Sequence, residues 1–180
     1  MPNAHNIYLA SSWRNEYQPS VLASLRNDGH EVYDFRNPAP GNTGFNWKQI
    51  DSQWEDWNVD AFRNALWSTV AEEGFRADME ALVRADVVVL LLPSGRSAHT
   101  EAAFARGQGK PVVLYSPEPC QPELMYKMFH SVTATEVELL GVLSSCSVSD
   151  LLMLRLYERI PTPATDDLLR VFKSVMDGNS

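Results

Sequence analysis

Carboxylates, hydroxyls and guanidinium groups gather at a few places in this sequence. Pro93-Ser94-Gly95-Arg96-Ser97-Ala98-His99-Thr100-Glu101 follows an aliphatic run and leads into a helical pattern. With Ser97 as N-cap, Glu101 ends the first helical turn, where the helix dipole favours a carboxylate in any protein. The same placement at the carboxyl edge of a sheet aims a carboxylate into a cleft, as a nucleophile requires. Spacing leaves both readings open. His99 is either a contact to a ligand phosphate or base, or a solvent-facing helix residue.

A second place is Ala10-Ser11-Ser12-Trp13-Arg14-Asn15. Small hydroxyl residues at a helix N-terminus, beside a guanidinium, suit an anion. An ordinary N-cap with a surface arginine would have the same spelling. Neither a GxxxxGK[ST] nor a GxGxxG loop occurs. In Arg76–Asp86, the residues Met79, Leu82 and Val83 mark a buried helix face. Asp78 lies beside that face, near the start of its helix, and alone reads as a solvated acid. Asp86 precedes a strand and reads as a cap or turn residue.

The elements that must position these residues alternate along the chain. His5–Ala10, His30–Phe35, Asp86–Leu92 and Pro111–Tyr115 read as strands, with a weaker one at Ser131–Thr133. Glu16–Asn27 reads as a helix with Gly29 past its end, and Ala98–Arg106 as another. Arg36–Asn46 carries two prolines and two glycines and reads as a loop. Trp47–Ala85 reads as two or three helical pieces, whose tryptophans 47, 54, 57 and 67 belong to a core or line a pocket. Short helices are expected near Leu124 and over Val137–Leu143, Asp150–Arg159 and Asp166–Met176. The order is that of an α/β doubly wound (Rossmann/flavodoxin-like) parallel sheet of about five strands flanked by helices. Ligands of such sheets sit beyond the carboxyl ends of the strands, at the switch in strand order. Ser11–Asn15, Pro93–Glu101 and Ser116–Glu123 occupy such positions.

Composition narrows the function classes. The 180 residues suit one domain, 1–180, with 145–180 as a C-terminal helical extension. At 44% hydrophobic and 10% aromatic, the chain has the means to build a core. A net charge of -8 argues against a general grip on nucleic acid polymers. Cys120 and Cys146 are isolated from each other and from histidines, so no metal site is expected. The first residues lack the pattern of a secretory signal. The longest aliphatic run, Val87–Leu92, is far short of the ~20 residues that span a membrane, so a cytoplasmic protein without membrane partners is expected.

Three pieces in order carry a resemblance: Ile7-Tyr8-Leu9-Ala10-Ser11; Ala77-Asp78-Met79 with Ala85-Asp86-Val87-Val88-Val89; and Thr100-Glu101-Ala102-Ala103-Phe104-Ala105 with Gly109-Lys110-Pro111-Val112. Over about Ile7 to Met128 the chain resembles the nucleoside 2-deoxyribosyltransferase superfamily, which includes the 2'-deoxynucleoside 5'-monophosphate N-glycosidases. The resemblance implies that Glu101 is the nucleophile, that Asp78 attends the leaving base and that Tyr8 positions Glu101. It implies that Ser12 and Arg14 lie on a 5'-phosphate loop. Glu123 falls where a neighbouring subunit lends a polar residue, so a homodimer or larger homo-oligomer with shared sites is implied. Where the free-nucleoside transferases carry an aspartate six residues before the nucleophile, this chain has Gly95, followed by Arg96 and Ser97. A guanidinium and a hydroxyl there suit an anionic substrate. Glu123 replaces a neutral residue, and Ala102-Ala103 stands where a glycine is usual.

The activity so implied is cleavage of the base–sugar bond of a (deoxy)nucleoside 5'-monophosphate through a covalent glycosyl-Glu101 ester. Ser12, Arg14, Arg96 and Ser97 would clamp the phosphate, and Trp13 or Trp47 would stack on the base. No cofactor is implied, and the partner is a small nucleoside or nucleotide. Alternatives are a base-exchanging deoxyribosyltransferase, a nucleotide-binding sensor without turnover, and an NAD-type glycohydrolase.

Overall fold

A computed structural model describes residues 3–153. The five strands are β1 (Asn6–Ala10), β2 (Glu31–Tyr33), β3 (Val87–Leu91), β4 (Val112–Tyr115) and β5 (Ser131–Thr133). They form one sheet in the order β2-β1-β3-β4-β5, with every pair parallel. The helices are α1 (Gln18–Asn27), α2 (Val59–Leu66), α3 (Thr69–Arg84), α4 (Arg96–Gly107), α5 (Glu136–Ser145) and α6 (Val148–Met153). This is the expected doubly wound α/β sheet. The strand order reverses between β1 and β3, so the loops after these two strands flank the switch point.

Alternation along the strands makes two apolar layers. Ile7, Leu9, Val87, Val89 and Leu91 pack with Val21, Leu25, Leu139 and Leu143, against α1 and α5. Tyr8, Ala10, Val88, Leu90 and Leu114 pack with Ala81, Leu82, Ala98, Ala102 and Ala105, against α3 and α4. Small residues on the inner faces of α3 and α4 let both helices lie close to the sheet. A tyrosine hydroxyl is thereby carried into an otherwise alkyl layer at Tyr8.

Each expected strand is present; β5 has the expected bounds and the other four are shorter at one or both ends. The Trp47–Ala85 stretch resolves into two 3-10 turns, Trp47–Gln49 and Trp54–Asp56, and then α2 and α3. Trp47 packs edge-on against Trp57 and Phe62, whereas Trp67 is 72% exposed and belongs to neither core nor pocket. Two local expectations are corrected. Gly95 in extended backbone, not Ser97, is the N-cap of α4, so Glu101 sits in the second turn. Asp78 lies in the second half of α3 rather than near its start. Asp86 accepts from the Asn6 amide at 3.0 Å and ties β3 to β1. α6 covers the start of the helix expected over Asp150–Arg159. The helix expected over Asp166–Met176 lies outside the described residues. Among the described residues no helix is long and apolar enough to cross a membrane.

Candidate active site

The sheet register sets Tyr8 beside Tyr33, and their rings stack with centroids 5.3 Å apart. The Tyr33 hydroxyl donates to Asp78 Oδ1 at 2.9 Å. Glu101, half-buried on α4, acts electrostatically on Tyr8 and Tyr33 and is itself acted on by Asp78. Four side chains from β1, β2, α3 and α4 therefore converge on one face of the sheet. Each element contributes one group, so the constellation exists only in the folded chain.

Burial and mutual repulsion tune these groups. Burial, and then the neighbouring Asp78 carboxylate, push Glu101 up to about 7, while the Tyr8 hydroxyl offsets part of that rise. Asp78 is also raised by burial, against the hydrogen bond from Tyr33 that favours its ionised form. Tyr8 is raised far above the ordinary phenol range by burial and by Glu101. Its hydroxyl is buried and closes no hydrogen bond, yet it faces Glu101 closely enough to favour the carboxylate. Two acids that cannot both ionise freely, beside an unspent hydroxyl, make a pair able to divide nucleophile and proton-donor roles.

A cleft of about 470 Å³, counted to its open mouth, reaches this cluster. Tyr33, Asp78, Phe35, Phe45, Asn42 and Glu73 are among its lining residues. Tyr8 and Glu101 adjoin it through Tyr33 and Asp78 rather than forming its wall. Neither Trp13 nor Trp47 lines the cleft. Instead each backs a phenylalanine that does: Trp13 meets Phe35 edge-on at 5.3 Å, and Trp47 meets Phe45 edge-on at 4.8 Å. Gly74 permits this wall, because a Cβ there would stand 2.6 Å from that of Phe45.

The loops after β1 and β3 are stitched together. Ser11 Oγ donates to Leu91 O at 3.3 Å, and Asn15 Nδ2 donates to Pro93 O at 3.0 Å. Ser12, Trp13 and Arg14 thus neighbour the loop that leads to Arg96 and Ser97. Arg14, Arg96 and Ser97 are exposed, and Ser12 Oγ accepts from the Arg14 amide. His99 is not solvent-facing and does not offer a free ring edge. Its Nδ1 bonds Gly95 O at 2.8 Å, and its Nε2 bonds the Tyr126 hydroxyl at 2.8 Å, with the rings stacked. Glu123 is exposed and accepts from the Met125 amide at the head of the 3-10 helix Leu124–Met128.

Sequence reasoning did not single out Tyr33 or Arg36. Alternation in β2 could have found Tyr33, since Val32 faces one layer and its neighbour must face the other. Nothing local marks Arg36, which reaches back across the chain to Ser12, Trp13 and Asn15.

Solved structures share the fold. A 2-deoxyribosyltransferase from Bacillus psychrosaccharolyticus superposes with a TM-score of 0.52 at 20% identity, covering 83% of this chain and 96% of its own. The chain has the 2-deoxyribosyltransferase fold. A CMP N-glycosidase from Clostridium botulinum gives a TM-score of 0.43 at 15% identity, over 77% of this chain and 96% of its own. No protein-family model and no curated protein matches the sequence. Within the 2-deoxyribosyltransferase fold of this chain, the acid pair lies beside the switch between β1 and β3. No group of three or more metal-ligating side chains occurs among the described residues.

Proposed function

We propose that this protein is an N-glycosidase of (deoxy)nucleoside 5'-monophosphates that works through a covalent glycosyl-Glu101 ester. The observation that carries the reading is the half-buried Glu101–Asp78 pair, flanked by Tyr8 and Tyr33 at the end of an aromatic cleft. The 2-deoxyribosyltransferase fold supports the same reading.

In the first step a Glu101 carboxylate oxygen bonds to C1' of the sugar. The C1'–N bond breaks, its electron pair leaves with the base, and Asp78 supplies or orients the proton the base takes up. In the second step water attacks C1', the C1'–O bond to Glu101 breaks, and the proton from water returns to the acid pair. Tyr8 steadies the Glu101 carboxylate. Phe35 and Phe45 hold the flat base between apolar walls. Neither step needs a metal or an organic cofactor.

The phosphate end is assigned to the joined loops, with Ser12, Arg14, Arg96 and Ser97 facing a 5'-phosphate. Guanidinium groups on the loop after β1 and at the start of α4 suit a dianion better than an uncharged 5'-hydroxyl. A homo-oligomer in which Glu123 reaches a neighbouring site is part of the proposal. The exposed Leu124, Met125 and Met128 beside it support a covered face.

A second reading, transfer of the sugar to another base, follows from the same first step when a base rather than water accepts it. Incubation with a panel of nucleosides and nucleotides, with chromatography of released bases, tests the proposal. Free base and sugar phosphate are expected. Exchange products formed only when a second base is added would favour transfer, and no released base from any substrate would contradict both.

A further inference from the structure

Arg36 lies outside the acid cluster, yet its guanidinium does something unusual for a loop arginine. Nη2 donates to Ser12 O at 2.8 Å, Trp13 O at 3.2 Å and Asn15 O at 2.9 Å. Its carbon sits 5.9 Å from the Trp13 ring centroid and 5.8 Å from that of Phe35. Nε is buried without a partner. The nearby Asp34 carboxylate is occupied by Gln18 Nε2, Asn37 Nδ2 and the Arg36 amide, not by the guanidinium. Among the described residues no carboxylate forms an ion pair with Arg36.

A half-buried guanidinium is ordinarily matched by an anion. Here three carbonyl oxygens solvate it, and no ion pair among the described residues matches its charge behind the loop that carries Ser12 and Arg14. Gathering three carbonyls on one nitrogen also dictates the path of residues 12–15, because a flat, directional donor holds its acceptors in a defined arrangement. The far side of the same loop is fixed to the end of β3 and the loop after it by Asn15, whose Nδ2 donates to Leu91 O and Pro93 O. Loop shape and loop potential thus depend on one side chain from the opposite side of β1.

We infer that Arg36 is the positioning residue for the anionic end of the substrate, holding Ser12–Asn15 in the shape that meets a phosphate and supplying positive potential behind it. This rests on the phosphate end of the function proposed above. Arg36 acts through the loop and is not a catalytic residue.

The experiment is calorimetric titration of the protein with 2-deoxyribose 5-phosphate, which carries sugar and phosphate but no base and requires no turnover. Arg36→Ala is expected to weaken binding about tenfold or more. Arg36→Lys should recover only part of the loss, since an ammonium keeps the charge but not the planar fork, and added guanidinium ion should restore binding to Arg36→Ala. Amide exchange over residues 12–15 should quicken in both variants while α4 stays protected. Binding by both variants within about threefold of the parent would overturn the inference, as would loss without guanidinium rescue or faster loop exchange. If Arg36→Ala fails to fold, Arg36→Lys carries the test. Arg14→Ala separates the two levels: weakening there with none at Arg36 removes this inference alone. A parent protein that does not bind the probe removes the phosphate assignment and this inference with it.

Discussion

The Tyr33 hydroxyl donates to Asp78 Oδ1 at 2.9 Å, joining the end of β2 to the second half of α3 in the wall of the cleft. This bond favours ionised Asp78, and ionised Asp78 in turn lifts Glu101. Tyr33→Phe should cost about 1.5–3 kcal/mol of stability while Asp78 is ionised, as for other hydrogen bonds to a charged group. That contribution should fade as pH falls through the Asp78 pKa. Chemical denaturation of parent and variant at several pH values measures it, and a loss that ignores pH would contradict the assignment.

Glu101 carries opposite consequences for activity and stability. The unfolded chain ionises it near 4.5 and the folded protein near 7. The folded state therefore holds the extra proton between these values, and stability falls as pH rises through that window, by at most ~3 kcal/mol. Glu101→Gln should abolish this decline, so the variant melts higher than the parent above pH 7. The same substitution should lower turnover about a thousandfold or more. Thermal melts and rates on one preparation test both. An inactive and destabilised variant at pH 8 would place Glu101 in structure rather than chemistry.

A related expectation concerns the pH–rate profile. The attacking carboxylate must be ionised, so kcat/KM should fall on acidification with a midpoint near 7. Asp78→Asn removes the repelling charge and should shift that midpoint to lower pH. It should also slow turnover by about a hundredfold or more through loss of proton handling. An unmoved midpoint would mean that the two acids do not interact.

How much of this was legible in the sequence follows from how local each signal is. Continuous β-branched runs exposed the parallel sheet, and Tyr8, Asp78 and Glu101 lay in recognisable pieces. Ser97 has the residue type and spacing of a cap without being one, because Ser caps well wherever the backbone permits. The chain instead stays extended through Gly95, whose carbonyl holds the His99 ring. Nothing local decides His99 between ligand contact and solvent, since Tyr126, its partner, lies 27 residues on. The tryptophans drew attention as base-stacking groups by size. The sheet and the 3-10 turns put Trp13 and Trp47 one layer behind Phe35 and Phe45, an arrangement no periodicity encodes.

The cleft wall offers a test free of titratable groups. Gly74→Ala gains roughly 1 kcal/mol of helix propensity. It also drives a methyl to 2.6 Å from the Phe45 Cβ, a clash with side-chain atoms close to the backbone. Overpacking of this kind costs about 1–3 kcal/mol, so the variant should be less stable and bind base-containing ligands more weakly. Gly141→Ala, in α5 with open space around it, should instead stabilise by up to ~1 kcal/mol. Paired melting curves decide, and a stabilised Gly74→Ala would mean that Phe45 does not rest on α3.

During turnover Glu101 should be joined to the sugar by a covalent bond. Rapid quenching during turnover, trypsin digestion and mass spectrometry test it directly, because cleavage after Arg96 and Arg106 isolates Glu101 on residues 97–106, apart from Asp78 on residues 77–84. A sugar-phosphate adduct is expected on residues 97–106 and absent from Glu101→Gln. An adduct on residues 77–84, or undiminished turnover by Glu101→Gln, would contradict it.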